Sequence, residues 1–232
     1  RGDEENIFRP DVAQSWLQQA ASASFSCAFL SSPCKYFCVG AEDRPPLFTV
    51  SKPLGVESPP PEWLAYQQRG IAIIDFVFDL IVALDSSRTP WVAENPAQRH
   101  LKDSPAFWRE CVEWGTLWDA LEARGLFSKV PTVRVVFPYC ALGAPYQKYT
   151  MLVGSLSAEP LVELFRGLVC RERSLGIRHQ VQLRGFDERG ESRTSQASGY
   201  PAQMIELVVR GLLAVRAATA APAAARVSES PA

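Results

Sequence analysis

Apolar residues recur at helical spacing in "PDVAQSWLQQAA" (10–21), where Val12, Trp16, Leu17 and Ala20 share a face. A longer stripe of Ile71, Ile74, Phe78, Ile81 and Leu84 predicts a helix over 62–86. Ser104-Pro105 places a capping residue before a proline, and Phe107, Cys111, Trp114, Trp118 and Leu121 follow on one face. That pattern predicts a helix from 104 to its stop at Gly125. Two more helices are expected over 158–169 and 200–218. Short apolar runs mark strands at 24–32, 90–96, 132–137 and 149–156, and "HQVQLRG" (179–185) reads as a further short one. Between 38 and 63 the chain is rich in Pro and Gly and has no period, which predicts a long functional or disordered loop.

Strands and helices therefore alternate. The expectation is an α/β fold with a mostly parallel sheet and helices on both faces. Such sheets bind ligands at the carboxyl ends of their strands. Two of those ends carry reactive groups, "SSPC" after the first strand and "AENP" after the second.

Composition narrows the partners. Of 232 residues 47% are hydrophobic and 21% charged, which suits one α/β domain with a substantial core. A formal net charge of -1 gives no global attraction to nucleic acid, so such contacts would need a local patch. The longest apolar run (70–84) contains Asp75 and Asp79 and is too short to span a bilayer, so no membrane partner is expected. Six cysteines without a CxxC pair read as an intracellular, reduced chain. With only His100 and His179 available, no zinc spacing stands out and no metal is expected. The chain opens on Arg1 in what reads as mid-domain sequence, as expected of a piece whose front strands are missing. From 219 onward an Ala-rich tail is expected to be disordered.

Four segments, in order, carry a resemblance: "SSPCKYF", "VAENP", "GAPYQKYTMLVG" and "ASGYPAQM". Together they resemble the cytosine-5 DNA methyltransferase family, in the divergent form found in mobile elements of algae and other protists. The resemblance covers about 2–216. It implies a Rossmann-like class I methyltransferase fold over 1–218, with a small recognition-like insertion at 157–197. It makes Cys34 of the Pro33-Cys34 pair the nucleophile and Glu94 the group that grips the cytosine ring. Pro33, Asn95 and Lys148 would contact the substrate. Arg178 and Arg184, within an arginine-rich stretch that also holds Arg171, Arg173 and Arg189, would face phosphates. Ser198 and Gly199 would help hold S-adenosylmethionine. The partner would be DNA, and the compartment the nucleus if host DNA is the target.

The chemistry requires these residue types. Cytosine C5 becomes nucleophilic only after something adds at C6, and a thiolate is a soft, partly ionised adder near neutral pH. Charge developing in the ring needs a proton or strong hydrogen bond at N3, a task for a carboxyl group such as Glu94. The base must also leave the duplex to reach such a site, and loop 38–63 lies where the family's mobile catalytic loop lies. Several family features are absent: the Phe-x-Gly-x-Gly turn, the acidic ribose contact, and the two arginines replaced here by "QKYT". Outside the resemblance, Cys34 reads as a buried structural thiol, Glu94-Asn95 as a turn, and Trp108, Trp114 and Trp118 as core. The remaining cysteines, Cys38 among them, read as packing residues. A second function therefore stands beside the enzyme: a non-catalytic, decayed or domesticated mobile-element protein that keeps the fold and nucleic-acid binding.

Overall fold

The computed structural model describes residues 6–37, 45–181, 183, 197 and 199–220. Helix α1 (Pro10–Ala21) leads into strand β1 (Ala28–Ser31) and a single 3-10 turn at Cys34–Tyr36. Helix α2 (Pro61–Ser86) then crosses to strand β2 (Trp91–Pro96). Helices α3 (Leu117–Ala123) and α4 (Leu126–Lys129) precede strand β3 (Thr132–Pro138), and strand β4 (Tyr149–Ser155) follows. Helices α5 (Glu159–Glu163), α6 (Arg171–Leu175) and α7 (Ala202–Ala220) complete the described chain. No helix of the described residues is long and apolar enough to cross a membrane.

The sheet is mixed, which corrects the expectation of a mostly parallel one. Its order is β1-β2-β4-β3. Only β1 and β2 are parallel, and β4 runs antiparallel to both β2 and β3. The reason lies in the connections. A parallel pair needs a crossover of a dozen or more residues, usually a helix, and α2 supplies one. Residues 139–148 hold only a 3-10 turn (Tyr139–Leu142), so β4 folds back along β3.

Apolar clusters line both faces of the sheet. On one face α2 and α3 cover Leu30, Trp91, Ala93, Met151 and Val153. On the other, α5 and α7 cover Val92, Val135, Phe137 and Leu152. The buried stripe of α2 runs through Gly70, Ile73, Ile74, Val77, Ile81 and Leu84, with Ile71 and Phe78 half-buried at its border.

The helix expected over 104–125 shrinks to α3. Thr116 caps it: its hydroxyl accepts from the Asp119 amide, while Asp119 accepts from the Thr116 amide. Upstream, Phe107 and Trp108 are exposed, and Trp114 pairs with Thr49 in an isolated bridge. Trp108 is thus not core; it lies 36% exposed with the Arg99 guanidinium over its ring. The helix expected over 158–169 is likewise short, because α5 unwinds into i→i+3 turns before Gly167, which has φ +79°. Among the described residues the expected strand at 179–185 is represented by one bridge, Tyr146 to Val181; 182, 184 and 185 lie outside them.

The loop from 45 to 60 is packed rather than loose. Leu47 and Phe48 are each 2% exposed, and Gln67 donates to the carbonyls of Leu47 and Val56. Gly115 fastens this loop to the start of α3. A Cβ there would sit 2.8 Å from the Thr49 carbonyl oxygen and 2.9 Å from its carbon. No rotamer can relieve a clash with backbone. Gly115→Ala is therefore expected to cost about 1–3 kcal/mol, read as a lower urea midpoint at unchanged slope. An unchanged midpoint would show that the loop is not pinned there.

Candidate active site

The parallel pairing of β1 with β2 builds the site. Its register sets Ser31 beside Glu94, so the residues just after β1 emerge beside the carboxyl end of β2. Cys34 opens the 3-10 turn three residues later, half-buried, after an exposed Pro33 with φ -56° and ψ 107°. Proline stops β1 from extending, because it lacks a ladder donor and fixes φ. Tyr36 and Phe37 anchor the far side of the turn in the core, each 3% exposed. The thiol is thus held at a strand end by a proline before it and two buried aromatics after it.

Glu94 is 4% exposed and points to the α7 face. Three hydroxyl groups donate to its carboxylate. Tyr139 reaches Oε1 at 3.1 Å, Thr150 reaches the same oxygen, and Tyr200 reaches Oε2 at 2.7 Å. Burial and the nearby Glu94 charge push both phenols far above the usual tyrosine range, so both serve as O–H donors. Tyr200 also contacts the Ser31 hydroxyl at the end of β1. Tyr200 therefore joins the end of β1, three residues before Cys34, to the Glu94 carboxylate.

Asn95 points the other way, as alternation along a strand requires. Its Nδ2 donates to the Ser32 carbonyl at 3.1 Å, tying the Pro-Cys turn to β2. Its Oδ1 is buried and has no hydrogen-bond partner among the described residues. Pro96 closes the strand, and its carbonyl accepts from the Trp118 indole at 3.0 Å.

The β3–β4 connection lies at the same end of the sheet, because Pro96 pairs with Thr150 and Pro138 with Tyr149. Lys148 sits there. Its ammonium donates to the Ala197 carbonyl at 3.2 Å and lies 4.7 Å from the Tyr139 ring centroid. Its charge is directed into the protein rather than toward solvent. Arg178 is exposed, on the segment that pairs with Tyr146. Gly199 is exposed, and a Cβ there would meet none of the described residues within 4 Å. Arg184, Ser198 and Cys38 lie outside the described residues, as do Arg189 and the tail from 221.

The structure thus brings Cys34, Pro33, Glu94, Asn95 and Lys148 to one end of the sheet. It adds three residues that sequence reasoning missed: Tyr139, Thr150 and Tyr200. Thr150 carried the one usable signal, a polar residue amid the apolar run of β4. The tyrosines carried no such signal. Comparison with known proteins brings no relative to this site: no family model, curated protein or solved structure matches the chain.

Proposed function

We propose that this chain carries the base-modifying half of an S-adenosylmethionine-dependent DNA cytosine-5 methyltransferase, on a Rossmann-like class I scaffold. The observation that carries the reading is the parallel register that brings the end of β1, just before the Pro33-Cys34 turn, beside Glu94, with Tyr200 bonded to both Ser31 and Glu94. Cys34 is the thiolate that adds to C6 of an extruded cytosine. Glu94 contacts N3 once Tyr200 yields its place on Oε2. Tyr139 and Thr150 remain on Oε1 and keep the carboxyl group in one orientation. Arg178 and its neighbours on α6 supply local positive charge for phosphates. S-adenosylmethionine enters by the resemblance alone. The described residues form no cradle for it, since the space around Gly199 is open and demands no close backbone approach. No methyl-transfer step is therefore assigned to particular residues.

One observation favours the second reading, a non-catalytic protein that keeps the fold. Both Glu94 oxygens are already engaged by protein hydroxyls, as in a purely structural buried carboxylate. Duplex DNA substituted with 5-azacytosine separates the two readings without a methyl donor. A thiolate adding at C6 forms the S–C6 bond, opens the N5=C6 double bond and leaves N5 to take a proton from water. The enzyme reading expects a protein–DNA band that survives denaturation. Binding to DNA without that band would support the non-catalytic reading. Within the enzyme reading, Glu94→Gln should slow adduct formation by about 10²-fold or more, with DNA affinity nearly unchanged. An equal loss of affinity and adduct would show that Glu94 acts on binding and not on addition.

A further inference from the structure

Two cysteines and a histidine from separate segments converge in a cluster that does not include Cys34. Cys140 lies in the turn after β3, Cys170 immediately precedes α6, and His179 follows it. Their ligating atoms, Cys140 Sγ, Cys170 Sγ and a His179 ring nitrogen, all lie within 4.8 Å of one another. Cys170 Sγ is 3.4 Å from His179 Nε2. In a tetrahedral zinc site, Zn–S bonds of about 2.3 Å and Zn–N bonds of about 2.0 Å separate ligand atoms by roughly 3.5–3.8 Å. Both sulfurs are buried and the imidazole is half-buried.

The surroundings match a thiolate–imidazole metal centre. Glu172 Oε2 lies 2.8 Å from His179 Nδ1. A proton held on Nδ1 by this carboxylate leaves the Nε2 lone pair facing the sulfurs, the arrangement that metal-bound histidines usually have. The Gln147 side-chain amide also donates to Cys170 Sγ at 3.3 Å, a contact suited to a thiolate.

We propose that Cys140, Cys170 and His179 bind one divalent zinc ion, with Glu172 orienting the imidazole and a water or exchangeable ligand in the fourth position. The site does not depend on the methyltransferase reading. Its sequence spacing resembles no metal motif, because the ligands meet only when segment 177–181 docks on the β3–β4 connection. That docking is visible in the Gln180 amide, which donates to the Pro145 carbonyl at 2.9 Å, and in the Tyr146–Val181 bridge. Cys140 also adjoins Tyr139, which holds Glu94. The ion would therefore clamp the α6 segment to the turn that supports the candidate active site.

The test is metal content of the full chain, purified under reducing conditions and reconstituted with zinc, then dialysed. About one zinc per chain is expected. Replacement by cobalt(II) should give the intense thiolate-to-metal charge-transfer band of a two-sulfur site. His179→Ala, in a half-buried loop position, should lose the zinc while keeping the far-UV spectrum. Cys170→Ser should do the same, and Cys27→Ser should keep the metal. Glu172→Gln should weaken zinc affinity by about 10-fold or more. Folded wild-type protein that retains no zinc would overturn the proposal. So would zinc that survives both His179→Ala and Cys170→Ser, or a Cys140–Cys170 disulfide whose reduced thiols take up no zinc.

Discussion

Cys34→Ser is expected to abolish the denaturation-resistant adduct with 5-azacytosine DNA, by at least about 10³-fold, because a serine hydroxyl is barely ionised near neutral pH. The substitution changes one atom and leaves the turn intact. Pro33 before it and the buried Tyr36 and Phe37 after it hold the backbone. DNA affinity should therefore stay within about twofold, since phosphate contacts dominate it. Cys27→Ser is the control, because Cys27 precedes β1 and burial raises its thiol, which makes it a poor nucleophile. Adduct formed by Cys34→Ser but not by Cys27→Ser would refute the assignment of Cys34. The Pro-Cys pair would then be only a structural turn.

Trp118→Ala is expected to remove about 3–5 kcal/mol of folding stability, a large share of what a domain of this size possesses. Trp118 is 1% exposed and packs in the cluster under β2. Two costs combine: a large cavity in the core, and the Pro96 carbonyl left without its indole donor. Pro96 ends the strand that carries Glu94 and Asn95, so adduct formation should fall even at temperatures where the variant remains folded. Trp118→Phe separates the two costs. It keeps much of the volume and should lose about 1–2 kcal/mol, mainly the hydrogen bond and the residual cavity. A denaturation midpoint for Trp118→Ala equal to wild type would mean that α3 does not buttress the end of β2.

Local pattern made the long elements readable. α2 needs no partner to declare itself, since its apolar stripe repeats over about four turns and a proline starts it. α7 and the four strands declared themselves in the same way, as uniform runs of one period. The 104–125 stretch misled because Trp and Phe at helical spacing also arise in a packed loop. The capping box at Thr116 and the backbone contact of Gly115 with Thr49 place the true start twelve residues later than Ser104. A Thr49 partner more than sixty residues away leaves no trace in a local window.

Strand direction was likewise undecided by period alone. Alternation and burial look the same in parallel and antiparallel strands, and only the missing helix between β3 and β4 separates them. The reactive pair was visible as two strand ends, since a Pro-Cys and a Glu-Asn-Pro each follow an apolar run. Their adjacency was not visible, because register is a property of two strands at once. The hydroxyls around Glu94 come from β4, from the turn after β3 and from the segment just before α7. The ligands of the proposed zinc site come from a turn, a helix start and a loop. The sequence held each residue type and its local conformation. Which of them share a few ångströms followed from long-range pairing, in which burial energy summed over the whole core selects contacts that no neighbouring residues encode.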